Sequence, residues 1–253
     1  MSRKSSRQRR ILDALEINPA MRVKALAAEL DVSAETVRRD LAELADGGRL
    51  RRTYGGAVRT GGFEPALAER LKLHVAERER IARRALERLG DVESVFVGGG
   101  ATTLHFARAL RLLERRLTVL TPALGVATEA SANPRLEVLL LPGIVEPSEG
   151  LVHGGETLQA ISRFHSPLAV VGASALDESG VSDALLSAAQ VYAAMIDRAA
   201  RTFVLADRSK FGGQSLRRVL DWREGVCLIC DAAPEDSLAE AVRAAGAEID
   251  VVE

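Results

Sequence analysis

The chain has 253 residues, 47% of them apolar, and a net charge of −1, a length and composition ordinary for globular protein with room for more than one core. No apolar run approaches the ~18 residues of a membrane-spanning helix, and the basic N-terminus leads into no continuous apolar stretch of the signal-peptide kind, so a cytoplasmic protein is expected. Charge is unevenly spread: residues 1–60 hold thirteen Lys or Arg against eight Asp or Glu, which is +5 there and −6 in the remainder, the asymmetry of a nucleic-acid-binding module attached to a different body.

The basic start from Ser2 to Arg10, with Arg3, Lys4, Arg7, Arg9 and Arg10, reads either as a loose arm reaching phosphates or as a frayed, solvated terminus. Val23, Leu26, Ala27 and Leu30 then give a short apolar helix ending at Asp31-Val32. Ser33 is a natural N-cap, since its hydroxyl can accept from an open amide of the first turn. Val37, Leu41 and Leu44 recur at spacings of 4 and 3 on one face, while Glu35, Thr36, Arg38 and Arg39 fall opposite, where a recognition helix keeps its base-edge and phosphate contacts. Two short helices joined by so tight a turn form a helix-turn-helix.

Gly47-Gly48 stops that helix, and Leu50 to Val58 reads as a two-stranded hairpin around Thr53 to Gly56. Such a hairpin is a wing, whose Arg49, Arg51, Arg52 and Tyr54 can touch the backbone beside the groove that the helix occupies. Any one of these arginines alone would be read as solvated surface. Their order beside helix, turn, helix and wing carries the reading. The expected division is a DNA-binding domain over 1–60, a linker over 61–74, and an effector-binding and oligomerisation domain over 75–253.

In that second domain short apolar runs alternate with helical patterns. Ser94 to Val97, Leu117 to Thr121, Leu136 to Leu141, Leu168 to Gly172, Thr202 to Ala206, Val226 to Cys230 and Glu248 to Val252 read as strands. Thr103 to Leu113, Thr157 to Phe164, Leu185 to Ala200 and Ser237 to Ala245 read as helices between them. Repeated βα units predict an α/β domain with a doubly wound, mainly parallel sheet, and a ligand site beyond the carboxyl ends of the strands.

Gly98-Gly99-Gly100-Ala101-Thr102-Thr103 follows one strand and opens a helix, so Gly99 to Thr103 can offer amides and hydroxyls to an anion at the positive end of a helix. A tight βα turn without a ligand is the plain alternative. Neither the dinucleotide spacing of glycines nor the P-loop lysine is present, and no cofactor is expected. Ala206-Asp207-Arg208-Ser209-Lys210-Phe211-Gly212 follows a later strand; Asp207 can accept from sugar hydroxyls and Lys210 can meet a phosphate, or each can form a loop salt bridge.

Cys227 and Cys230 form a C-x-x-C inside an apolar strand, where residues three apart point to opposite faces. This favours a buried core pair over a redox or metal site, because a redox C-x-x-C opens a helix and no second pair stands at zinc spacing. His74, His105, His153 and His165 are scattered and read as surface or hydrogen-bonded residues, so no metal is expected.

Val32-Ser33 with Thr36-Val37-Arg38-Arg39-Asp40-Leu41, the wing Arg52-Thr53-Tyr54-Gly55-Gly56-Ala57, Ile81-Ala82 and Asp207 through Gly212 together resemble the DeoR family of bacterial transcriptional regulators over nearly the full chain. The resemblance implies a winged helix-turn-helix, a sensor domain similar to ribose-5-phosphate isomerase, and a repressor of a carbohydrate-use operon released by a phosphorylated sugar. Departures fall mostly in the sensor. Gly98-Gly99-Gly100-Ala101-Thr102 stands where the family has Asp-Ser-Gly-Thr-Thr, Thr121-Pro122 replaces Thr-Asn, and Ile144 follows Gly143 in place of a second glycine. Tyr192 stands near Met195 where a lysine is common, and Arg78 replaces a lysine. An unusual effector, or a sensor that binds none, is left open.

The favoured reading is a homo-oligomer, dimer or tetramer, whose paired recognition helices meet double-stranded DNA half-sites. An isomerase-like enzyme with an accessory DNA module is the alternative, but the βα loops offer no acid-base pair beyond Asp207, Asp177 and Asp183, and no catalytic residue is assigned. An effector-independent DNA-binding protein is the third reading.

Overall fold

A computed structural model of the chain describes residues 4, 7, 8, 10, 11, 14, 15, 23–46, 51–53, 56–58 and 66–252. The chain divides into two compact units, 1–63 and 64–253.

In the first unit, helix α1 (Val23–Leu30) and helix α2 (Ala34–Asp46) are joined through Asp31, whose φ of 52° places it in the left-handed region that short polar residues tolerate best. Leu26 and Leu30 meet Val37, Leu41 and Leu44 in a buried cluster with Ile11, Ala14 and Leu15. The helix periodicity of the sequence is therefore the core face in fact. Strands β1 (Arg51–Thr53) and β2 (Gly56–Val58) pair antiparallel with Thr53 opposite Gly56, which is the expected hairpin. The expected stop at Gly47-Gly48, and Arg49, Tyr54 and the segment 59–65, lie outside the described residues.

The second unit begins with α3 (Leu67–Arg70) and α4 (Val75–Glu87). Its centre is a parallel sheet of seven strands: β3 (Ser94–Val97), β4 (Leu117–Thr121), β5 (Leu136–Leu140), β8 (Ser166–Val171), β11 (Ala199–Ala206), β13 (Val226–Cys230) and β14 (Glu248–Val251). They lie in the order β14-β13-β11-β8-β3-β4-β5, and every neighbouring pair is parallel. From β3 the chain winds outward through α5 (Ala101–Ala109) to β4 and through α6 (Leu124–Ser131) to β5, then returns to the other side of β3 and winds outward again through α8 (Leu186–Asp197) and α9 (Asp236–Ala244). Right-handed crossovers in opposite directions place their helices on opposite faces. The sheet is doubly wound, and its direction reverses between β3 and β8.

Strands of such a sheet are covered on both sides and read as continuous apolar runs. Val95, Phe96, Leu168, Val170, Val204 and Leu228 are accordingly fully buried. Two small antiparallel additions have no counterpart in the pattern of the sequence. One is the hairpin of β6 (Ile144–Glu146) and β7 (Leu151–His153), followed by α7 (Gly155–Ser162). The other is a three-stranded sheet in the order β12 (Arg217–Leu220), β10 (Gly180–Asp183), β9 (Ala175–Asp177). Among the described residues no helix is long and apolar enough to cross a membrane.

Candidate functional site

Two places carry chemistry. In the first unit Ser33 caps α2: its Oγ accepts from the amide of Thr36 at 3.1 Å, and the two hydroxyl oxygens are 2.9 Å apart. Glu35 and Arg38 pair one turn apart at 3.1 Å, both exposed, and Arg39 is exposed beside them. Asp40, by contrast, is buried, and Arg7 grips it with Nε and Nη2, the latter at 3.2 Å. Lys4 and Gln8 both reach the Glu43 carboxylate, at 2.7 and 2.8 Å, and Arg10 donates to the carbonyl of Glu29 at 3.3 Å. At Lys4, Arg7 and Arg10 the basic start is therefore neither a loose arm nor a frayed end; these side chains hold the first helical residues onto α1 and α2.

Lys4, Arg7, Ser33, Thr36 and Arg39, with Glu35 and Asp40, line a pocket of about 280 Å³ at the N-terminus of α2, the end that favours anions. Of the wing residues, Arg51 and Arg52 lie on β1, and Tyr54 is outside the described residues.

In the second unit the loop from Gly98 to Thr103 leaves β3 where the winding of the chain across the sheet reverses. The amide of Gly98 donates to the Val170 carbonyl on β8 at 2.8 Å, and Gly172 comes close to the carbonyl of Gly99. Gly100 caps α5 with φ 118° and ψ 170°, a backbone that a side chain would strain. Thr102 and Thr103 are buried, and Thr103 Oγ1 donates back to the Gly100 carbonyl at 3.1 Å. A Cβ built on Gly99 would come 3.1 Å from Tyr192 Oη, 3.2 Å from Leu151 and 3.3 Å from Ala123. The glycines thus let the loops after β3 and β4, the β7 hairpin and α8 close on one point.

Asp207 sits after β11 but is fully buried. Its Oδ1 accepts from the Ser209 amide at 3.1 Å and from the Ser209 hydroxyl; its Oδ2 is held by Arg78 Nε and Nη2, each at 3.1 Å. Burial by itself raises the pKa of this carboxyl, but the Ser209 hydrogen bond and the charges of Arg78, Lys210 and His74 outweigh it and hold the group below its ordinary value. The expected acceptor of sugar hydroxyls is therefore a carboxylate with both oxygens engaged inside the protein, with the Lys210 charge close enough to favour its ionised form. Arg78, which in sequence stands where the family has a lysine and is given no role there, is a site residue. A signal for it exists: it stands three and four residues before Ile81 and Ala82, on the buried stripe of α4, where a cation demands a partner.

Asp177 and Asp183 serve as turn caps, accepting from the amides of Ser179 and Leu185 at 2.9 and 2.8 Å. Both cysteines are free and buried on β13; burial pushes the Cys227 thiol up to about 11 and the Cys230 thiol up to about 12, as suits core residues rather than a redox pair. His105 departs from expectation: it is buried on α5, and its Nε2 has no hydrogen-bond partner among the described residues. Burial, with Arg108 nearby, lowers its pKa.

The DeoR-like helix-turn-helix domain matches residues 7–61, and the DeoR C terminal sensor domain matches residues 73–232. The chain belongs to the DeoR family. Its members are DNA-binding transcriptional regulators, and the chain is such a regulator rather than an enzyme. The HTH-type transcriptional repressor GlcR of Bacillus subtilis is 28% identical over 245 residues, covering 96% of this chain and 94% of that protein. The glycerol-3-phosphate regulon repressor of Haemophilus influenzae is 28% identical over 235 residues, with 92% and 91% covered. Among solved structures, a ribose 5-phosphate isomerase A from Methanocaldococcus jannaschii aligns with a TM-score of 0.42 at 15% identity over 55% of each chain.

Proposed function

We propose that this DeoR-family chain is a cytoplasmic repressor of a carbohydrate-use operon, released from its operator by a phosphorylated sugar or a related small anion. DNA is met by Ser33, Glu35, Thr36, Arg38 and Arg39 on the capped recognition helix and by Arg51, Arg52 and Tyr54 of the wing. The pocket at the N-terminus of α2 is where a backbone phosphate fits, between Lys4, Arg39 and the hydroxyls of Ser33 and Thr36. Residues 75–253 form the part that senses the effector and assembles the homo-oligomer, so that two recognition helices meet half-sites about 34 Å apart or multiples of that.

The single observation that carries the effector reading is the position of Gly98 to Thr103 at the reversal between β3 and β8, where doubly wound sheets bind their ligands. Gly99, Gly100, Ala101, Thr102 and Thr103 cradle the anion and Lys210 neutralises it, while Asp207 orders Lys210 and Arg78 from behind. That a relative of comparable length is named a glycerol-3-phosphate regulon repressor supports a phosphorylated ligand. Sequencing the DNA that the full chain retains from its own genome tests the regulatory half of the reading. Retained sites should lie before genes of carbohydrate use; sites scattered without regard to gene starts would overturn it.

A further inference from the structure

The segment that follows the DNA-binding unit in sequence is tied down at both ends of the ligand site. Arg70, the last residue of α3, is buried, and its guanidinium meets both oxygens of Glu149 at 3.2 and 2.6 Å. Glu149 precedes Gly150, whose carbonyl accepts from Leu124 at 2.9 Å just beyond the end of β4, and Leu151 then packs at Gly99. The carbonyl of Arg70 accepts in turn from Nη1 of Arg78, and Arg78 crosses to Asp207 beyond the end of β11. In the sheet order β11-β8-β3-β4 one anchor lies just beyond β11 and the other is tied to the segment just beyond β4. The two strands between them are those of the reversal.

We infer that residues 66–78 are a strap across the effector site, and that Arg78 is the positioning residue through which a bound anion acts on the DNA-binding unit. The inference rests on the effector reading above. Arg78 has two places to put its charge: on Asp207 with the strap seated, or toward an anion arriving beside Lys210, which withdraws support from the Arg70 carbonyl. His74, between the two anchors, is held at φ 51°, a conformation that a non-glycine residue keeps only while its surroundings impose it. Releasing the strap relieves that strain. Because only the released arrangement leaves Arg78 to meet the anion, the ligand binds it more tightly than the seated one, which is the condition for any coupling.

The test uses the full chain, inorganic phosphate and glycerol 3-phosphate as probes, and a DNA duplex selected for binding. Arg70→Met with Glu149→Gln removes both charges of one anchor and leaves Arg78, Asp207 and the glycine loop untouched. In the wild type the anion should lower DNA affinity by about tenfold or more; in the variant, anion affinity should be equal or higher while the effect on DNA falls below about twofold. Amide exchange over residues 66–78 of the wild type should rise on adding the anion, a readout independent of how the variant folds. A wild type that binds no anion overturns the effector reading and the strap with it. A wild type that responds, with an equally responsive variant or with exchange over 66–78 unchanged, overturns the strap alone.

Discussion

A Cβ on Gly98 would come 3.0 Å from Cε1 of Tyr192. Two departures from the DeoR pattern that lie 94 positions apart in sequence are thus in contact, with the phenol ring resting where a longer side chain at 98 would stand. Gly98→Ala should cost about 1–3 kcal/mol by overpacking, and less when Tyr192 is shortened to Ala. A denaturant double-mutant cycle should give a coupling of at least about 0.5 kcal/mol; additive costs would mean that the ring moves aside freely.

Arg7 is expected to matter for folding before it matters for DNA. Arg7→Met leaves the Asp40 carboxylate buried with its main partner gone, at a cost of about 1–3 kcal/mol, below that of a fully buried pair because Arg7 is partly open to water. Thermal melting of the N-terminal unit should fall accordingly, whereas Lys4→Ala, removing an exposed pair, should leave it unchanged. Equal melting in both variants would remove Arg7 from the core of that unit.

On the recognition helix, Arg38→Ala with Arg39→Ala should weaken operator binding and flatten its salt dependence by about 0.9 in log-log slope for each phosphate no longer neutralised. Glu35→Ala frees Arg38 from its 3.1 Å ion pair and should steepen the same plot. A double variant that binds as the wild type does would displace the DNA-binding surface from this helix.

The Asp207 carboxyl is held below its ordinary value of 3.8, so the stability it contributes is fully present above about pH 4 and is lost as pH falls through its lowered folded value. Denaturant midpoints of the wild type and Asp207→Asn should differ by a constant amount from pH 7 down to about pH 4 and converge below that. A gap that already changes above about pH 4, with the wild type gaining on the variant as pH falls, would show that burial outweighs the Ser209 and Arg78 contacts at this group.

Much of the fold is legible in the chain because its central strands are buried on both faces and so appear as unbroken apolar runs. Ser94 to Val97, Leu117 to Thr121 and Val226 to Cys230 have the expected bounds, and the spacing of Val37, Leu41 and Leu44 is that of a packed helix face. Short strands such as Gly180–Asp183, with a glycine and two polar residues, show neither an apolar run nor a period. The Arg78 to Asp207 pair spans 129 positions, and no local pattern marks its partner. In sequence Asp207 reads as facing a ligand because an acid after a strand is where a ligand-binding acid belongs; only the third dimension shows both oxygens occupied from within.

An anion at the loop from Gly99 to Thr103 is expected to release DNA. The direct measurement is the anisotropy of a labelled operator duplex on the full chain, titrated with a panel of phosphorylated sugars beside the unphosphorylated sugars, for the wild type, Lys210→Ala and Thr102→Val. At least one phosphorylated sugar should release the duplex from the wild type, its parent sugar should not, and both variants should need about tenfold or more of the same compound. Release that is equal in all three proteins, or by the unphosphorylated sugar alone, would contradict the account.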